Sequence, residues 1–140
     1  MSRLLFLACG QSYAYTDLAN RSILDGLPCR VTVLANAATA RCFDPARPER
    51  HTVRWHDMPS VEKKVADLHA EQPFTTVATI DERLMEPAAR LRELLQLPGM
   101  KPDEVPGSRD KLAMKRQLAA AGVRVPEFTR CDDRSAVQAL

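Results

Sequence analysis

Two lysines one helical turn apart, an acidic pair at the end of one strand and a glycine at the end of another are the residues best placed for chemistry. Lys111 and Lys115 lie in Ser108-Arg109-Asp110-Lys111-Leu112-Ala113-Met114-Lys115, where a capping residue precedes a run of helix formers. Lys111 falls in the first turn, where its charge opposes the helix dipole, and a cation there suits an anionic partner such as a nucleotide phosphate. The other reading of both lysines is a solvated basic face. Asp81-Glu82 follows the strand-like run Thr75–Ile80, which puts two carboxylates at a sheet edge. The other reading has Asp81 as the cap of the next helix, and Glu82 as a complement to its dipole. Gly10 ends the apolar run Leu4–Ala8 and occupies the matching turn.

Other chemistries lack their residues. Cys9-Gly10-Gln11-Ser12 holds a single glycine, and a dinucleotide needs several there so that backbone can approach the pyrophosphate. NAD or FAD binding at this turn is not expected, and no GxxxxGK[ST] run is present. Cys9, Cys29, Cys42 and Cys131 show no CxxC spacing and are read as free thiols in a reducing compartment, with no metal site. His51, His56 and His69 do not cluster, and Ser12, Tyr13 and Tyr15 have no base near in sequence. No catalytic residue is therefore assigned within this chain.

The totals set the class. The chain has 140 residues, 45% hydrophobic and 27% charged, which fits a soluble globular domain rather than a disordered one. A net charge of +2 is too small to argue for nucleic acid or an anionic membrane surface. The start, Met1–Gly10, has the look of a short lipoprotein signal. Only one basic residue precedes the apolar run, however, and that run is shorter than the roughly 7–15 residues such a signal needs. No stretch approaches the roughly 18 apolar residues of a membrane span. The expectation is a cytoplasmic protein that binds neither membrane nor nucleic acid.

Elements that would position these residues follow from periodicity. Leu4–Ala8 is apolar at successive positions, as in a strand covered on both faces. A helix is predicted over Tyr13–Leu24, then a strand over Arg30–Ala35, and a short helix or ordered loop within Asn36–Arg50. His51–His56 alternates and reads as an edge strand. Pro59-Ser60 opens a helix with Val61, Val65 and Leu68 on one face. Thr75–Ile80 is the fourth strand. The next helix carries Leu84, Ala88, Leu91 and Leu95, starts near Met85 or kinks at Pro87, and ends at Leu97-Pro98-Gly99. Strands alternating with helices predict an α/β, doubly wound, mainly parallel sheet, with ligands at the carboxyl ends of the strands. Met100–Gly107 reads as a linker. Beyond it come a helix capped by Ser108 or Asp110 and closed by Gly122, an extended exit over Val123–Pro126 and a last helix from near Asp132.

At Arg109-Asp110-Lys111-Leu112-Ala113-Met114-Lys115 and Ala121-Gly122-Val123-Arg124-Val125-Pro126 the sequence resembles the ATP-grasp superfamily. It is most similar to carboxylate–amine ligases related to biotin carboxylase, carbamoyl-phosphate synthetase and bacterial peptide or amino-acid ligases. The strand and helix over Thr76–Gly99, with Glu82 after the strand and Leu-Pro-Gly at the end, resemble the close of that family's Rossmann-like pre-ATP-grasp domain. The resemblance implies a pre-ATP-grasp domain over residues 1–100, a helical linker segment over 101–107 and the start of an ATP-grasp domain over 108–140. It implies that Lys111 contacts ATP, and that Gly10 and Glu82 border the non-nucleotide substrate.

By the same resemblance the complete enzyme would use ATP and Mg²⁺ to join a small carboxylate to an amine through an acyl phosphate. Its second phosphate-binding lysine, glycine-rich loop and Mg²⁺-binding residues would lie beyond Leu140. This chain alone is then expected to be inactive and to hold no nucleotide tightly. With no complete domain for Val125, Phe128, Val137 and Leu140 to pack on, Ser108–Leu140 is expected to be mobile, swapped, or docked on another copy as a homodimer. The competing expectation is a non-catalytic, stand-alone Rossmann-like module that binds a small ligand or a partner.

Overall fold

The structure, a computed structural model, describes residues 2–19, 21–44 and 48–128. Four strands form one all-parallel sheet: β1 (Arg3–Ala8), β2 (Arg30–Ala35), β3 (Glu49–Thr52) and β4 (Thr76–Thr79), in the order β3-β2-β1-β4. β1 pairs with β2 from Arg3↔Arg30 to Ala8↔Ala35, and with β4 from Leu4↔Thr76 to Leu7↔Thr79. It is flanked on both edges, which its unbroken apolar run anticipates. Its side chains alternate between two cores. Leu5 and Leu7 pack with Leu34, Val77 and the helices α2 (Met58–Glu71) and α3 (Met85–Leu94). Phe6 and Ala8 face Tyr15, Leu24, Val33 and Phe43 on the other side, beside α1 (Ala37–Ala40). The fold is thus α/β with a parallel sheet covered on both faces.

The predicted helix over Tyr13–Leu24 is absent. A single 3-10 turn spans Ser12–Ala14, and an isolated bridge joins Thr16 to Ser22. Short polar side chains capture the backbone locally: Asp17 Oδ1 accepts from the N–H groups of Ala19 and Arg21, and Asp25 from that of Ser22. Such bonds compete with helical ones. The edge strand also moves, to Glu49–Thr52, and Val53 and Trp55 follow it while packing on the α2–α3 core. Their alternation came from a strand exit, not from the strand.

α2 begins one residue after its cap, Asp57, so Pro59 sits in the first turn, where no N–H is missed. α3 begins at Met85, which places Pro87 in its first turn without a kink. The chain then reverses through Gln96 and Gly99, with φ of 53° and 109°. In the expected linker, residues Val105–Arg109 form a short helix, α4, because Pro106 opens a helix as readily as it breaks one. Ser108 lies inside α4, so Asp110 alone caps α5 (Lys111–Ala120), accepting from the N–H groups of Leu112 and Ala113. Gly122 follows with φ 76°, as its stop requires. The predicted final helix from Asp132 lies outside the described residues. Chain contacts divide the protein into two units, Met1–Pro102 and Asp103–Leu140.

One buried cation fastens the amino ends of the strands. Arg3 is 4% exposed, and its guanidinium lies 4.3 Å from the centre of the Phe74 ring. It donates to the carbonyls of Leu68 and Gln72 at the end of α2 and to Glu49 on β3 at 3.0 Å. Glu49 also accepts from Thr32 and meets His51, both at 3.0 Å. On the far side of the sheet, Arg92 donates twice to the Val77 carbonyl and covers the open edge of β4. A Cβ on Gly99 would come within 3.1 Å of Arg92.

Two stability predictions follow from this frame. Arg3→Met keeps the volume but strips three acceptors of their donor, and it should cost about 2–3 kcal/mol, read as a lower urea midpoint. Gly99→Ala combines a positive φ with the Arg92 contact and should cost about 1–3 kcal/mol in the same assay.

Candidate functional site

The carboxyl ends of β1 and β4 lie side by side, since Leu7 pairs with Thr79. Between the segments that leave them is a cleft of about 340 Å³, lined by Gly10, Gln11, Tyr13, Tyr15, Ile80, Asp81, Glu82 and Arg83. Tyr13 and Ile80 are exposed on its walls. A larger hollow of about 480 Å³ lies at the opposite end of β2 and β3, among Leu24, Leu27, Arg30 and Glu49. We assign the candidate site to the smaller cleft, because parallel sheets collect ligands where strands end, and because the ionisable groups converge there.

The floor is built from a turn whose polar atoms are taken up by side chains. Tyr15, fully buried against Phe6 and Phe43, accepts from the N–H groups of Cys9 at 3.0 Å and Gly10 at 2.7 Å. The Gly10 carbonyl accepts from Thr39 at 2.8 Å, and the Cys9 carbonyl from Arg83 at 3.2 Å. Trp55 donates its indole N–H to the Ala8 carbonyl at 3.2 Å. Thr39 is itself placed by α1, whose cap Asn36 accepts from the Thr39 N–H. A Cβ on Gly10 would stand 3.0 Å from the Tyr15 oxygen, so a glycine is what lets the ring reach the turn.

Asp81 caps the 3-10 turn Glu82–Leu84 and also joins the two strand ends. Its Oδ1 accepts from the Arg83 backbone N–H and from Arg83 Nε, and its Oδ2 from Arg83 Nη2 at 2.7 Å and the Cys9 thiol at 3.1 Å. Four bonds use a carboxylate's accepting capacity. The Arg83 side-chain bond, against an opposing effect of burial, holds Asp81 at a pKa of about 2, and the arginine's own pKa is raised in return. Burial first, then the bond and charge of Asp81, push the Cys9 thiol up to about 11. Burial also raises the Tyr15 phenol, with its two backbone bonds acting the other way. Near neutral pH the floor therefore holds an ionised Asp81, a protonated Cys9 and a protonated Tyr15.

Of the residues singled out in the sequence, Gly10 and Glu82 meet in this cleft. Lys111 belongs to the other unit, in the first turn of α5. Lys115 is turned to Phe128, with its ammonium 5.1 Å from the ring centre. The residues for MgATP fit only in part. Lys111 offers a cation, but the first N–H groups of α5 are occupied by Asp110, whose carboxylate would face a phosphate. Among the described residues no group of three or more His, Cys, Asp or Glu side chains is placed to hold a metal ion. No helix of the described residues is long and apolar enough to cross a membrane.

Sequence reasoning missed Tyr15, Arg83, Thr39 and Cys9 as partners in the site. Asp81-x-Arg83 immediately after a strand was the available signal for one pair. Nothing local marked the others.

The electrostatics are open to test. Cys9 should react with iodoacetamide roughly two orders of magnitude more slowly in the folded chain than in urea, because only the thiolate attacks. Asp81→Asn should speed that reaction, and mass spectrometry of the alkylated peptide reads both rates. Asp81 is held below its ordinary value of 3.8, so its contribution to stability is complete above that value. It should fade as pH falls toward about 2, and Asp81→Asn should flatten the acid limb of the stability–pH curve.

The ATP-grasp N-terminal domain, a family described by that name, matches residues 26–99. Among solved structures the fold is similar to that of the L-amino acid ligase from Bacillus licheniformis, with a TM-score of 0.69 and 19% identity over 99% of this chain. At that identity the likeness is one of fold. This chain spans 41% of the ligase's chain. No curated protein matches the sequence. The family match takes in more than half of the sequence, from the approach to β2 through the end of α3, and the chain belongs to the ATP-grasp N-terminal domain family.

Proposed function

We propose that this chain is the amino-terminal part of an ATP-dependent carboxylate–amine ligase. In the complete enzyme the γ-phosphoryl group of ATP passes to a substrate carboxylate, giving an acyl phosphate and ADP. An amine then attacks the acyl carbon and releases phosphate, forming an amide. The single observation that carries the reading is membership of the ATP-grasp N-terminal family, supported by the fold shared with an L-amino acid ligase. Within it, Glu82 and Gly10 border the acceptor substrate, and Lys111 contributes one cation to nucleotide binding. The cleft's contents agree with a positioning role: Asp81 is saturated and Cys9 and Tyr15 are protonated, so the floor orients rather than attacks. Phosphoryl transfer further needs metal ions and several cations around the transferred group. With one such lysine and a capped α5 terminus, this chain by itself binds nucleotide weakly and is inactive.

The test is a coupled assay for ADP in the full-length protein, with small carboxylates, amino acids among them, and hydroxylamine as a general acceptor. ADP release that depends on the carboxylate, together with hydroxamate, is the expected result. Lys111→Ala should raise the KM for ATP by roughly tenfold. Glu82→Gln should raise the KM of the carboxylate that accepts the phosphoryl group and leave that of ATP unchanged. Full-length protein that binds such ligands yet releases no ADP would overturn the ligase reading in favour of a binding module. Isothermal titration of the 140-residue chain with MgATP should give little or no heat of binding. Micromolar affinity would contradict the assignment of most of the nucleotide site to other parts of the protein.

A further inference from the structure

The turn after β1 contains a two-donor site that is already filled. Backbone N–H groups of successive residues that converge on one point make a concavity for an oxyanion, which is how strand-to-helix turns hold phosphates. The N–H groups of Cys9 and Gly10 converge in this way, at 3.0 and 2.7 Å, on the hydroxyl oxygen of Tyr15. That oxygen cannot readily leave. Its ring is fully buried, with ring centres 6.2 Å from Phe6 and 5.3 Å from Phe43. The missing side chain of Gly10 serves the same contact, since a Cβ there would lie 3.0 Å from this oxygen. The charged groups facing the turn are Asp81 and Arg83, and they are spent on one another.

We propose that Tyr15 determines ligand specificity at this end of the sheet: its hydroxyl is a built-in occupant of the Cys9–Gly10 site and closes it to phosphate and carboxylate oxygens. A ligand in the adjoining cleft then meets the side chains that line it, Gln11, Tyr13 and Glu82 among them, and not the backbone of the turn. The domain keeps the topology of a nucleotide-binding sheet while its first turn rejects the nucleotide's phosphates. The inference rests on hydrogen bonds and packing and stands apart from the ligase reading, so the ADP assay and the experiment below fail independently.

The experiment follows the amide resonances of Cys9 and Gly10 in the isotopically labelled 140-residue chain while inorganic phosphate is added. In the native chain neither amide should show a saturable shift. In Tyr15→Phe, which keeps the ring and removes the oxygen, both should shift saturably, and their hydrogen exchange should quicken by roughly tenfold, as loss of one net hydrogen bond implies. A shift confined to the Arg83 side-chain resonance counts as silence at the turn. Saturable shifts in the native chain, or silence in a folded Tyr15→Phe, would overturn the proposal. Should the variant not fold, native hydrogen exchange decides. Cys9 and Gly10 amides as slow as those within β1 support a resident plug, and rates like those of exposed loop amides refute it.

Discussion

Backbone polar groups at the buried end of a strand must be satisfied, and in this domain that requirement falls on the turn after β1. A helix starting there would have taken up the free carbonyls and left its N–H groups for a ligand. The segment after Gly10 instead forms one 3-10 turn and a polar loop. Side chains from four places supply what the missing helix does not: Tyr15 from that loop, Thr39 from α1, Trp55 from beyond β3 and Arg83 from beyond β4. Each contact needs its element in position, so the turn records whether the whole sheet has assembled. Arg3 performs the same service at the opposite end of β1, on α2 and β3.

This saturation sets the character of the site. Groups that would be reactive alone are occupied here: the carboxylate of Asp81 accepts four bonds, and the Cys9 thiol is held protonated by burial first and then by its bond to Asp81. Such a floor costs no reorganisation when a ligand arrives, which suits orientation rather than bond-making. Above the floor the cleft has exposed apolar walls from Tyr13 and Ile80. The helical unit that carries Lys111 is of another kind. α5 buries none of its own side chains, and its cap, Asp110, belongs to the same unit.

Much of the frame was legible because it depends on local pattern. The unbroken run Leu4–Ala8 required a strand covered on both sides, and β1 is central. Val61, Val65 and Leu68 required one buried helix face, and all three are in the core. Where reading failed, a local polar bond or a strand exit had competed with periodicity. Asp17 and Asp25 held a loop where a helix was expected, and Val53 and Trp55 kept a strand's alternation outside the strand.

The sequence by itself determined the alternation of strands and helices, the positions of Gly10, Asp81 and Glu82 at strand ends, and Lys111 in the first turn of a helix. These rest on spacings of a few residues, which residue type and periodicity control. Only the tertiary structure decided that Tyr15 fills the turn it follows, that Arg83 saturates Asp81, and that Cys9 shares that carboxylate across 72 positions of chain. Those contacts arise because parallel pairing brings the ends of β1 and β4 together, and no local pattern records which strands will be neighbours.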